Sequence, residues 1–232
     1  MADIPFQNKL LAALSADALA ALGPLERVSL PLRTRLDTMN GASSVYFIED
    51  GVASVVADID GRLVVELGIV GREGMVGLNV VYDDPEDPFH VFMQIEGSAL
   101  RADAGTMRKA MGAHPDLHRL LLHYARAFSI QVGTTALANG RSKLDERLAR
   151  WLLMVSDRVG ATFPITHEFI SIMLGVRRPG VTLAVQILEG NGLIKASRGT
   201  VHILDRAGLI ALANGAYGFA EQHYARLLGA SP

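Results

Sequence analysis

The 232-residue chain contains no cysteine. That one absence excludes a disulfide scaffold, a thiolate-held zinc or iron–sulfur site and a cysteine nucleophile. Charge is sparse as well, at 20% of residues against 50% hydrophobic, which excludes disordered and fibrous classes and predicts a compact chain with room for two modest domains. Long apolar runs are missing: no stretch approaches eighteen uncharged apolar residues, and Met1-Ala2-Asp3-Ile4-Pro5 holds no basic segment. Neither a membrane span nor a secretory signal is expected, and the expected location is the cytoplasm.

Clusters that could carry chemistry are equally thin. His114 and His118 stand four apart with His123 following, a spacing at which helical imidazoles can share a metal, but Pro115 places His114 at a helix cap and no acidic partner is suitably spaced. His167-Glu168 opens like a zincin helix and lacks the second His. No Ser, His and Asp arrangement makes a nucleophile and its base, so no metal, no catalytic residue and no enzyme is the expectation. Gly68, Gly71, Gly74 and Gly77 recur every third residue. No Lys-Ser/Thr follows and no dinucleotide spacing is met, so they are read as turn glycines.

What is present is an uneven charge. Residues 1–140 carry 11 Lys/Arg against 17 Asp/Glu, and residues 141–232 carry 11 against 7. The formal net charge of -2 therefore hides a basic C-terminal part, the candidate for polyanion contact.

The pattern of elements divides at the same place. Leucines 10, 11, 14, 19 and 22 among alanines predict one or two short helices, broken near Ser15. Residues 45–48, 52–56, 63–67 and 91–95 are β-branched runs separated by Gly, Asp and Pro, an antiparallel pattern, with Asp60-Gly61 as a type I′ hairpin and Glu49-Asp50-Gly51 as a second turn. Pro115 starts a long helix over about 115–139, capped by His114, with Leu117, Leu121, Tyr124, Phe128, Val132 and Thr135 on one face. Asn139-Gly140 ends it and Ser142 opens the next with Asp145 as a partial capping box, which sets units at 1–140 and 141–232. Beyond lie an amphipathic helix marked by Leu144, Leu148, Trp151, Leu152 and Val155, helices over 166–174 and 178–191 around a Gly175-Val176 turn, two strands about Ser197-Arg198-Gly199, and a single final helix over about 205–228.

Helix, tight turn, helix and a small hairpin make a winged helix-turn-helix. The run from Ile165 through Leu174-Gly175-Val176-Arg177-Arg178-Pro179 to Leu193-Ile194 resembles the DNA-reading unit of the cyclic AMP receptor protein/fumarate-nitrate regulator (Crp/Fnr) family. Tyr46-Phe47 before Gly51 and the run Gly71 to Gly77 extend the resemblance upstream. The fold implied is α+β: an N-terminal antiparallel β-roll of the cyclic-nucleotide-binding jelly-roll type, a long central dimerisation helix and a C-terminal winged helix-turn-helix.

In such a unit the second helix enters the major groove by its N-terminal turns. The base-reading candidates are Arg177, Arg178, Thr182 and Gln186; Thr166 caps the preceding helix and touches phosphate, and Lys195, Ser197, Arg198 and Thr200 form a wing for backbone contact. The plainer alternative makes Arg177 and Arg178 the solvated start of a surface helix. Many family members read bases with a Glu and an Arg where this chain has Pro179 and Leu183, so an unusual operator is expected. The resemblance implies a homodimer on a palindromic double-stranded site and leaves room for RNA polymerase as a further partner. A rival from another class is an adaptor of the same fold that binds no specific DNA.

The nucleotide-binding members hold a cyclic phosphate through a Gly-Glu-Leu stretch and a later Arg-Ser or Arg-Thr pair. The matched positions here are Gly77, Leu78 and Asn79, then Phe89 and His90, without the Glu or the Arg. A desolvated cyclic phosphate would lack its charged partner, so cyclic AMP is not expected to bind tightly, with Arg72 or His90 as the substitutes to watch. Tyr124 and Phe128 are candidates for the pocket or the dimer seam, and no cofactor is implied.

Overall fold

The computed structural model describes residues 6–36, 43–61, 63–229 and 232. Buried Asn8 pins the start of the chain: its oxygen accepts from the Leu10 and Leu11 N–H groups to cap α1 (Lys9–Ala12), and its amide donates to the Ile48 and Gly74 carbonyls at 2.9 and 2.7 Å. Ser15 caps α2 (Ala16–Ala21), which places the break between the two short helices where the sequence predicts it.

The strands β1 (Glu26–Leu30), β2 (Ser44–Ile59), β3 (Leu63–Val70), β4 (Met75–Val76) and β5 (His90–Asp103) form an antiparallel sheet in the order β1-β5-β2-β3, with β4 on β2. Asp60 and Gly61, at φ +56° and +66°, turn the β2–β3 hairpin; the strands pair through Ile59 and Leu63, so the connection is one residue longer than the two-residue type I′ turn expected. Glu49-Asp50-Gly51 is not a turn. The runs at 45–48 and 52–56 are one strand, bulged at Asp50 and Val52. Gly51 holds the bulge because a Cβ there would lie 2.6 Å from the Ile95 and Glu96 carbonyl oxygens, while buried Glu49 accepts from the Gln7 and Asn8 N–H groups and pairs with Arg27. A bulge with a buried acid therefore stands where the sequence reads as a turn.

After β4 comes α3 (Leu78–Val81), and after β5 comes α4 (Ala104–Ala113), capped by Asp103 accepting from Thr106 N–H at 2.7 Å; neither helix was expected. The long helix α5 (Pro115–Arg141) begins at Pro115 with His114 as its cap residue and buries Leu117, Leu121 and Tyr124. It runs through Asn139-Gly140 to Arg141.

The glycine run explains how closely this helix approaches the sheet. A Cβ on Gly68 would meet the Gln131 amide and the Phe128 ring of α5, one on Gly74 would overlap the Tyr124 hydroxyl, and one on Gly71 would lie 2.8 Å from Arg158 Cγ. Among the four only Gly77 has a positive φ, +104°. Three of the four are thus close-approach glycines, and two of these, Gly71 and Gly74, also bound the expected turn, closed by Gly74 N–H donating to the Gly71 carbonyl at 3.0 Å. Gly71→Ala is expected to lower stability by about 1–3 kcal/mol, since Arg158 is too buried to yield; urea denaturation measures it, and an unchanged midpoint would refute the packing argument.

The C-terminal part comprises α6 (Leu144–Val159), β6 (Thr162–Pro164), α7 (His167–Met173), α8 (Arg178–Gly190), β7 (Ile194–Ser197), β8 (Thr200–Ile203), α9 (Arg206–Leu212) and α10 (Phe219–Leu228). The cap of α6 is Lys143, whose N–H donates to the Glu146 carboxylate at 2.9 Å, in place of the expected Ser142 and Asp145. The expected final helix is two, because Asn214, Gly215 and Gly218 between α9 and α10 all take positive φ. Then α10 folds back along α5 and buries Tyr224 in the N-terminal core with Leu117 and Leu121. A second core joins Val52, Val56 and Ile69 of the sheet to Trp151, Leu152 and Met173. Packing therefore crosses the division drawn at 140/141 twice.

Candidate nucleic-acid interface

The reading unit is assembled by short-range chemistry. Thr166 Oγ1 accepts from Phe169 N–H at 3.2 Å and starts α7; Gly175, at φ +62°, makes the turn that Val176 completes. Arg177 is the extended cap of α8 and Pro179 sits in its first turn, where a missing N–H costs nothing. Val181, Ala184, Val185 and Leu188 bury one face of α8. The other face is exposed, and no acidic residue stands in its first turn.

A groove of about 390 Å³ opens between α8 and the wing, with Thr166, Arg178, Thr182 and Gln186 on the helix side and Ser197, Arg198 and Thr200 on the wing. Of the expected residues, Arg177 and Lys195 are exposed beside the groove rather than lining it. Arg198 and Gly199, at φ +42° and +79°, shape the wing tip, and the Glu189 carboxylate accepts from Ala196 N–H at 2.8 Å, tying the wing to α8. Sequence reading missed His167, dismissed as a failed zincin motif. Thr182 donates to the Arg178 carbonyl and His167 Nδ1 lies 3.2 Å from Thr182 Oγ1, so His167 holds the Thr182 hydroxyl at the groove floor. Leu183, 59% exposed, stands on the outer face, where an apolar side chain can meet a thymine methyl.

The unit is clamped to the sheet. Arg147 donates to the Leu174 carbonyl at the end of α7. Phe169 packs edge-on against Phe92 of β5 with centroids 6.0 Å apart. Arg158 on α6 reaches Glu73 at 2.6 and 2.9 Å with both side chains 3% exposed, and Tyr224 donates to the Glu73 carbonyl at 2.6 Å. Burial works against the Arg158 charge and the adjacent Glu73 carboxylate outweighs it, so the guanidinium pKa is raised. Glu66 on β3 accepts from Trp151 Nε1 at 2.8 Å and lies 2.6 Å from Ser54 Oγ; burial pushes its carboxyl up to about 7 against those two hydrogen bonds. The signal for this clamp lay in the spacing of Trp151, Val155 and Arg158, which puts an arginine on a buried stripe.

Residues 146–212 match the family described as the Crp-like helix-turn-helix domain. Most of the chain also superposes on solved structures. FixK2 from Bradyrhizobium japonicum has a TM-score of 0.71 at 17% identity over 82% of this chain and 97% of that one. The chain carries the Crp/Fnr fold. A CRP-family transcriptional regulator from Thermus thermophilus gives a TM-score of 0.68 at 18% identity over 83% and 98% of the two chains. The c-di-GMP-responsive global regulator CLP from Xanthomonas campestris gives 0.67 at 16% identity over 82% and 100%. No curated protein matches the chain. Among the described residues no helix is long and apolar enough to cross a membrane, and no group of three His, Cys, Asp or Glu could hold a metal ion.

In this Crp/Fnr fold a cavity of about 300 Å³ lies between the sheet, the segment from Met75 to Phe89 and α5. Gly77, Leu78, Phe89 and Phe128 line it. Three of the expected pocket residues do not. Arg72 is exposed on the β3–β4 loop, where its carbonyl accepts from Lys9 N–H. His90 begins β5 and its Nδ1 lies 2.8 Å from Arg35 Nη2. Tyr124 is core, its hydroxyl donating to the Met75 carbonyl behind the cavity wall.

Proposed function

We propose that the chain is a homodimeric, sequence-specific DNA-binding transcription regulator that does not respond to cyclic AMP. The observation that carries this reading is the groove between α8 and the wing, which gathers Arg178, Thr182, Gln186 and Arg198 on one exposed face of a Crp-like domain. Arg178 presents two parallel donors for guanine O6 and N7, Gln186 does the same for adenine, and Ser197, Arg198 and Thr200 offer phosphate contacts that set register. The dimer reading is supported by α5, whose outward Gly133 and exposed Leu137 line an open surface with Phe219 of α10. Two recognition helices related by a two-fold would meet major grooves about 34 Å apart, which requires a near-palindromic site.

The test selects genomic fragments on the purified protein and titrates the best against a scrambled fragment over a salt series. A preferred palindromic site is expected, with affinity falling steeply with salt as each neutralised phosphate releases its counterion. Arg178→Ala is expected to cut discrimination at one base position by roughly 5- to 150-fold. Equal binding of both fragments by the wild-type protein, unchanged by Arg178→Ala, would overturn the reading in favour of a protein-binding adaptor.

A further inference from the structure

We infer that the cavity between the sheet and α5 takes an uncharged, mainly apolar molecule of one or two rings and rejects anions. This rests on the reading of the β-roll as the sensing part of a regulator. The walls are Val55, Val70, Met75, Val76 and Val91, all buried, closed on the α5 side by Phe128 and Val132. Among the described residues none of the lining side chains is Lys, Arg or His. Every charged group of the lining is an acid: Asp84, Glu86 and Asp87 at the rim.

That rim is built rather than loose. Asp84 accepts from Glu86 N–H at 3.0 Å and Asp87 accepts from Phe89 N–H at 3.1 Å, so two carboxylates fold the segment that brings Phe89 over the mouth. An anion entering would lose its water inside an apolar wall, find no cation among the described lining residues, and pass the Asp84 and Glu86 carboxylates on the way, three terms of the same sign. A neutral ring system meets none of them. It gains the burial of its apolar surface and a stacking partner in Phe128 or in Phe89, which is 37% exposed. The volume lies at the small end of the range for small-molecule sites, about 300–1,000 Å³, which limits the occupant to a compact molecule. One polar handle on the α5 side can orient it, the Ser129 hydroxyl.

The experiment uses a matched pair of two-ring fluorescent probes on the purified full chain: 1-naphthylamine, which is neutral, and 5-amino-1-naphthalenesulfonate, which has the same skeleton with one added negative charge. Fluorescence titration is expected to show the neutral probe at least tenfold tighter, with no displacement by cyclic AMP. Val132→Phe, which fills the cavity from α5, is expected to abolish neutral-probe binding. Phe89→Ala removes a partly exposed ring and is expected to weaken it several-fold, a variant that keeps the test sound if Val132→Phe fails to fold. Equal affinity for the sulfonate, displacement by cyclic AMP, or binding unaffected by either variant would overturn the inference. The titration is read without DNA, and Arg178→Ala is expected to leave it unchanged, so a failure of the regulator reading and a failure of the ligand class give different results.

Discussion

Arg158→Ala is expected to destabilise the protein by about 3–5 kcal/mol, because it leaves the Glu73 carboxylate buried without its cation. Both side chains are 3% exposed and the guanidinium also donates to the Met154 carbonyl at 2.7 Å. For a chain of this length that is a fall in Tm of roughly 6–20 °C. Arg158→Met combined with Glu73→Gln should recover most of the loss: no uncompensated charge remains, and the glutamine oxygen can still accept from Gly71 N–H as Glu73 does. A thermal scan of Arg158→Met, Glu73→Gln and the double variant closes the cycle, with Arg158→Ala alongside as the truncation. Equal losses for Arg158→Ala and the double variant would show that packing, not charge, holds the two halves. The pair joins the loop before β4 to α6 of the helix-turn-helix part, and Tyr224 reaches the same residue from α10. Glu73 therefore sits where the cavity wall, the long helix and the reading unit converge.

Glu66 should make the stability of the protein depend on pH. Its carboxyl is fully buried at the junction of β3, α6 and α7, with Ser54 of β2 at 2.6 Å and Trp151 at 2.8 Å, and burial pushes its pKa up to about 7, opposed by those hydrogen bonds and by the Arg150 and Arg158 charges. An unfolded glutamate titrates near its ordinary value of about 4.3. Below that value both states are protonated and no stability is lost. Between there and 7 the unfolded chain releases its proton while the folded chain keeps it, so stability falls as pH rises, by about 3.5 kcal/mol once the folded value is passed. The neighbouring side chains can serve both states. A protonated Glu66 donates to Ser54, whose proton then goes to Gln94 Oε1 at 2.9 Å. An ionised Glu66 takes the Ser54 proton, and a flipped Gln94 amide can donate in return through its nitrogen, which otherwise has no partner. Glu66→Gln reproduces the protonated chain and removes the titration. Thermal denaturation between pH 5 and 8 is expected to show a decline in the wild-type protein that is absent in the variant, and a higher Tm for the variant at pH 8. Parallel curves for the two proteins would refute it.

Much of the site was legible because its determinants are local. A helix that starts at Arg178-Pro179, the Gly175 turn before it, the Thr166 cap and the Ser197-Arg198-Gly199 wing tip are each set within a few residues, by capping, proline geometry and positive φ. The base-contact candidates inherit their positions from those features. The cavity was legible only in part. Gly77, Leu78 and Phe89 follow the chain around it, but Arg72, His90 and Tyr124 lie near it in sequence and point elsewhere, into solvent, to Arg35 and into the core. His167 was missed because its role depends on Thr182, fifteen residues away on the next helix.

The sequence by itself determined the succession of a β part, a long helix and a winged helix-turn-helix, the hairpin around Asp60-Gly61, the start of α5 at Pro115, the reading helix with its wing and the basic balance of the C-terminal part. Each follows from short-range periodicity, caps and composition. The tertiary structure alone decided that Gly68, Gly71 and Gly74 are clearances for Gln131, Arg158 and Tyr124, that Glu49 is a buried anchor in a continuous strand, that α10 returns to α5, and that Glu66 and Glu73 tie the reading unit to the sheet. Those outcomes depend on which residues, tens of positions apart, are brought within hydrogen-bonding or van der Waals distance. A carboxylate in a polar run reads as solvated until the fold places an arginine or an indole against it and removes the water.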